Sequence, residues 1–159
     1  MCKKLLTTRS LCISAVIAAL YAALTLLLAP ISFGALQLRV SEALTLLPML
    51  MPQAIPGLFV GCLIANLYTG LLTDIVFGSL ATLAAAIGTY LLRRTPALAA
   101  ACPVLTNALI VGTVVAKSAH LPLGLTMLQI GAGELIAVLM GFVLLRALGR
   151  TRLDLNRLG

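Results

Sequence analysis

The chain has 159 residues, of which 62% are hydrophobic and only 9% charged, with a mean hydropathy of +1.16. A soluble domain carries about 25% charged residues, so a water-soluble fold of this size is excluded and the bilayer is the solvent. The net charge of +7 does not point to a nucleic-acid partner, because aromatic residues are 4%, Trp is absent and no base-stacking platform is visible.

The length suits one membrane domain, 1–159, with no separate soluble domain. Hydropathy and breakers predict an all-α integral membrane bundle of six transmembrane helices. These are about 11–29, 40–51, 55–72, 74–92, 96–116 and 125–145, followed by a basic tail, 146–159. At about 1.5 Å per residue the first is long enough to cross the hydrocarbon core. It follows Lys3, Lys4 and Arg9 as a secretory signal would, but it is too long for one and lacks a cleavage site. Phe33, Ala35, Gln37 and Arg39 alternate over 31–38, which suggests a short strand or hairpin. The second helix stops at Pro52 and is short for a crossing, so tilt, extension past Pro52 or shielding by protein are open to it. Asp74 suits the N-terminus of the fourth helix and Pro96 the first turn of the fifth. Lys117, His120 and Pro122 fall in the last loop.

Nine basic residues (Lys3, Lys4, Arg9, Arg93, Arg94 and the four arginines after 145) fall on one side, with only Arg39 and Lys117 on the other. The positive-inside rule then sets both termini in the cytoplasm. Four scattered cysteines, Cys2, Cys12, Cys62 and Cys102, form no CxxC and read as small hydrophobes. No metal or cofactor is implied.

That topology gives each polar residue a depth. Glu42, Asn66, Asp74 and Glu134 fall in the outer half, and Asn107 lies near the middle of the fifth helix. A pore or proton relay needs polar groups through the whole thickness; a pocket open to one face needs them only there. Arg39 and Glu42, three residues apart, share a helix face and can pair, at the membrane surface or in the pocket. Asp74 reads equally well as a cap, and Asn66 and Asn107 as glue between helices. Glu134 follows Gly131-Ala132-Gly133 inside an apolar helix, and an intramembrane carboxylate reads as a ligand or ion contact.

Four stretches carry a family resemblance. They are Leu38-Arg39-Val40-Ser41-Glu42-Ala43-Leu44-Thr45, Asn66-Leu67-Tyr68-Thr69-Gly70, Asp74-Ile75-Val76-Phe77-Gly78-Ser79-Leu80-Ala81-Thr82, and the small-residue run Ala15-Val16-Ile17-Ala18-Ala19-Leu20-Tyr21-Ala22-Ala23. The chain resembles the substrate-binding membrane subunit, or S component, of an energy-coupling factor (ECF) importer, and within that group the QueT family, associated with queuosine precursors. The resemblance implies six helices and an outward-facing site in the bacterial cytoplasmic membrane. It also implies as partners a membrane coupling protein and two ATPase subunits. The implied ligand is of the 7-deazaguanine type. One carboxylate can accept its ring N–H and exocyclic amine together, Asn or Gln can donate to its carbonyl, and an aminomethyl cation wants a second carboxylate. Arg39, Glu42, Asn66, Asp74, Asn107 and Glu134 supply that inventory.

No P-loop, HExxH or aspartate-rich pair is present, and one His in a loop cannot readily build a triad, so the chain is not an enzyme and any ATP is hydrolysed by a partner. The alternatives are an autonomous carrier coupled to protons through Glu134, or an S component for a different vitamin. Ala15, Ala19 and Ala23 recur every four residues on the first helix. Such small side chains permit close helix approach in lipid, either within the bundle or, as the resemblance implies, against the coupling protein.

Overall fold

Thr7 opens the first helix by accepting a hydrogen bond from the Ser10 N–H at 3.3 Å, the usual satisfaction of an orphan donor at a helix start. The computed structural model describes residues 7–33 and 38–150, and their regular structure is entirely helical. Helix α1 spans Thr8–Leu27, and a further turn, Ala29–Ser32, continues it past Leu28. That turn occupies the start of the predicted hairpin; residues 34–37 of that stretch lie outside the described residues.

The short second segment, α2, spans Val40–Met49 and is a 3-10 helix. Ten residues at about 2.0 Å each reach about 20 Å, against about 15 Å for an α-helix. Residues 41–48 are all buried, so the segment is shielded by protein. With three residues per turn, Ser41, Leu44 and Leu47 share one face, Ala43, Leu46 and Met49 a second, and Glu42, Thr45 and Pro48 the third. Leu44 and Leu47 pack with Ile17, Tyr21 and Leu58, whereas Leu46 packs with Ala100 and Val138.

Helix α3, Ala54–Leu67, lies hard against α1. A Cβ on Gly57 would stand 2.7 Å from the Ser14 carbonyl oxygen, and one on Gly61 would stand 2.8 Å from that of Ala18. Two glycines four apart thus bring the backbones together, as in lipid-embedded pairs that gain only packing energy. Helix α4, Asp74–Leu91, begins with a π turn, Asp74–Gly78. Helix α5, Pro96–Ser118, contains Pro103, which cannot donate to the Ala99 carbonyl; the Thr89 hydroxyl of α4 does so instead at 3.2 Å. Helix α6, Leu123–Arg150, runs five residues past its predicted end, and residues 151–159 of the basic tail lie outside the described residues.

Helices α1, α4, α5 and α6 are long and apolar enough to cross a membrane, while α2 and α3 are shorter apolar helices. Short connections make the helices alternate in direction. Three ends and three starts therefore meet at one end of the bundle, beside Arg39.

Candidate functional site

Arg39 precedes α2 in an extended conformation, φ −89° and ψ 98°. The helical neighbour relation to Glu42 therefore does not hold, and the expected Arg39–Glu42 pair is replaced by a tertiary contact. Arg39 Nη2 donates to Asn66 Oδ1 at 2.9 Å. The guanidinium also stands over the Phe33 ring, 5.1 Å from its centroid, and Phe33 stacks on Tyr68 with centroids 6.0 Å apart.

Asn66 is fully buried and uses its other end on α4. Its Nδ2 donates to the Asp74 carbonyl at 3.0 Å and approaches Cys62 Sγ at 3.3 Å. The π turn is shaped around this amide, because a Cβ on Gly78 would stand 2.7 Å from Asn66 Nδ2. Asp74 therefore joins the cluster through its carbonyl. Its carboxylate does not line the cavity described below.

Glu42, 1% exposed, is fixed by two hydroxyls: Tyr21 on α1 and Thr82 on α4 both donate to its Oε1, the latter at 3.3 Å. Thr82 also contacts Cys62 Sγ at 3.3 Å. Across the bundle, α5 contributes Asn107 and α6 contributes Glu134, both buried. Arg39, Glu42, Asn107 and Glu134 line one cavity, with Val111 and Ile130 as its apolar walls. The space open to the centre of a water-sized sphere is about 10 Å³, room for about one water and not for a bicyclic base.

Three buried polar atoms in this wall have no hydrogen-bond partner: Glu42 Oε2, Glu134 Oε1 and Arg39 Nε. Leaving such groups unmatched is costly in a low-dielectric interior. The wall thus presents two acceptors and a donor without partners. No group of His, Cys, Asp and Glu among the described residues is arranged to hold a metal.

Of the residues singled out from sequence, Arg39, Glu42, Asn107 and Glu134 share the cavity, Asn66 holds Arg39 from behind, and Asp74 lies outside it. Ala15, Ala19 and Ala23 are elsewhere, on an exposed face of α1, while Ala18 and Ala22 are buried. Sequence reasoning missed Tyr21, Thr82 and Cys62. The signal available was indirect: a carboxylate in an apolar bundle needs donors at its own level, and Cys62 lies one turn from Asn66 on the same face.

An apolar helical bundle with a buried cluster of polar groups near one end is an architecture that fits a membrane transport or binding protein. Residues 11–150 match the QueT transporter family, and the chain belongs to that family, one of transporters rather than enzymes. A curated relative, "Queuosine precursor transporter QueT" of Lactococcus lactis subsp. cremoris (strain MG1363), is 38% identical over 71 residues. That match covers 43% of this chain and 42% of the relative, so it spans less than half of the relative's length. No solved structure matches the chain. Family and apolar helices together make it a multi-pass membrane protein.

Proposed function

We propose that the chain is the substrate-binding membrane subunit of an ECF-type importer, taking up a queuosine precursor of the 7-deazaguanine type from the outer face. The observation that carries this is the trio of unmatched buried atoms, Glu42 Oε2, Glu134 Oε1 and Arg39 Nε, at one end of an otherwise apolar bundle. A deazaguanine edge offers N–H donors for the carboxylates and a carbonyl for the guanidinium. Six crossings with both termini cytoplasmic are part of this proposal, since the positive-inside rule favours the side to which the sequence assigns nine of the eleven basic residues.

Because no P-loop is present, ATP is hydrolysed by partner subunits. The face of α1 bearing Ala15, Ala19 and Ala23 is the proposed contact with the membrane coupling protein; it adjoins an apolar groove lined by Ala15, Ile55, Phe59 and Ile87. The Arg39 cavity is too small for such a base as it stands, so ligand entry must part its walls.

The test is uptake of the labelled base by the purified protein in liposomes, with and without the coupling protein and two ATPases. Binding alone, with uptake only in the full assembly, is the expected result. Uptake by the protein alone, abolished by Glu134→Gln, would instead establish an autonomous proton-coupled carrier. Absence of binding refutes the ligand class.

A further inference from the structure

Three helices leave a groove toward the end of the bundle opposite Arg39. Helices α1 and α4 both pack on α3 and make little contact with each other, so α3 forms a floor between two walls. Ala15 and Ala18 of α1, Phe59 and Val60 of α3, and Leu83 and Ile87 of α4 line the space, which measures about 690 Å³. That lies within the range of small-molecule sites, about 300–1,000 Å³. Of the lining residues only Ser14 and Tyr90 carry polar side-chain atoms. The Ser14 hydroxyl is already committed to the Ser10 carbonyl at 3.0 Å and the Gln53 carbonyl at 2.8 Å. Val60 and Ile87 are 43% and 42% exposed, so the groove opens sideways to lipid.

Its length and direction narrow the class of occupant. Leu11 to Ala18 on α1 and Leu83 to Leu91 on α4 each cover about 10–12 Å at about 1.5 Å per residue. That is most of one leaflet of a hydrocarbon core about 30 Å thick. The groove therefore runs inward from the Arg93 end, along the direction of acyl chains. Water does not settle in an apolar slot, and an unfilled one forfeits dispersion contacts on every wall. An acyl chain satisfies both conditions.

The end that meets the headgroups is charged. Tyr90 lines the groove, and the Arg93 guanidinium stands over its ring, 4.1 Å from the centroid. Arg93 Nη1 also donates to the Tyr90 carbonyl at 3.0 Å, which uses one of its five donors and fixes the others beside the groove's mouth. Arg94 follows, exposed. Among the described residues the acids are Glu42, Asp74 and Glu134, all toward the Arg39 end, so neither arginine has a carboxylate to pair with. A planar guanidinium with donors to spare matches a phosphate, and basic pockets between spanning helices recognise anionic headgroups.

We infer that this groove is a binding site for an anionic phospholipid of the leaflet at the Arg93 end. One acyl chain lies between α1 and α4, and the phosphate rests against Arg93 with Arg94 beside it. The site uses no group of the Arg39 cavity, so it stands whatever that cavity binds.

The chain contains no Trp, so a single introduced Trp reports on one place. Phe59→Trp puts the probe in the groove, and Leu139→Trp, on the exposed surface of α6, reports on ordinary boundary lipid. Each full-length variant is reconstituted in vesicles of phosphatidylcholine and phosphatidylglycerol, with brominated chains on one lipid or the other, and relative affinity is read from fluorescence quenching. In the groove, phosphatidylglycerol should be favoured about fivefold, the factor one arginine supplies near an anionic headgroup. At Leu139→Trp the two lipids should quench about equally. Adding Arg93→Gln and Arg94→Gln should bring the groove ratio to about one. Equal quenching by both lipids at Phe59→Trp overturns the inference, as does an equally strong preference at Leu139→Trp, which is attraction to the net charge of the whole chain. A preference that survives loss of both arginines overturns the headgroup assignment. Quenching by neither lipid overturns it in favour of a second copy of the chain covering the groove. Ile87→Trp, at the exposed edge of the same groove, repeats the measurement if Phe59→Trp fails to fold.

Discussion

Arg39 and Asn66 are held together by a 2.9 Å hydrogen bond across 27 residues of sequence, and the same amide reaches on to the Asp74 carbonyl at 3.0 Å. One side chain thus fixes the cation of the site and the π turn that opens α4. Replacing Asn66 with Ala strands a buried guanidinium and a freed carbonyl, and should destabilise the protein by about 1–3 kcal/mol. Gly78→Ala should destabilise too, since its Cβ would stand 2.7 Å from Asn66 Nδ2. The two must be strongly coupled, because Asn66→Ala removes the atom with which the new Cβ collides. A double-mutant cycle by thermal unfolding in detergent checks this; additive effects would refute the assignment of Gly78 to Asn66.

The polar level of the bundle was legible because a charge within an apolar run is conspicuous at any depth. Segment lengths put Glu42 and Glu134 in the outer half and Asn107 near the middle of its helix, and the fold brings the three to one cavity. The partner of Arg39 could not, because the expected pair with Glu42 assumes both residues lie on one helix, and Arg39 lies just outside it in extended backbone. The form of α2 was hidden for a related reason. Residues 41–48 are buried on every side, so no amphipathic stripe reveals the period. Tyr21, Cys62 and Thr82 are residue types that fill cores, and only their tertiary neighbours give them a polar task.

Thr89 and Pro103 make a second such arrangement, at the opposite end of the bundle from Arg39. Pro103 leaves the Ala99 carbonyl without its helical donor, and Thr89 supplies one at 3.2 Å. Thr89→Val should therefore lower stability by about 1–3 kcal/mol, the cost of a buried unpaired acceptor. Adding Pro103→Ala restores an N–H within α5 and should recover much of that loss. A second substitution that deepens the loss would show that Thr89 serves packing alone.

Orientation is open to direct labelling. In a cysteine-free background, a cysteine at His120, whose φ of 54° marks the turn after α5, should react with an impermeant maleimide from outside intact cells. One at Arg94, in the turn between α4 and α5, should react only after permeabilisation. The reverse pattern would invert the bundle and move the proposed site to the cytoplasmic face.

The last prediction uses the two faces of α1, which differ although both are made of small residues. Ala18 and Ala22 are buried, and Gly61 of α3 meets the Ala18 carbonyl so closely that an added Cβ would stand 2.8 Å away. Ala15, Ala19 and Ala23 are exposed on the other side. Gly61→Ala should therefore push two backbones apart and destabilise the isolated protein, with overpacking typically costing about 1–3 kcal/mol. Ala19→Trp adds bulk where nothing in the chain is displaced, so stability and ligand affinity should stay near those of the wild type. If this face docks on a coupling protein, the same substitution should abolish co-purification and ATP-dependent uptake. Transport surviving in Ala19→Trp and Ala23→Trp alike would release the face from that role and leave it lipid-facing. Loss of folding in Ala19→Trp would contradict the exposure of α1 itself.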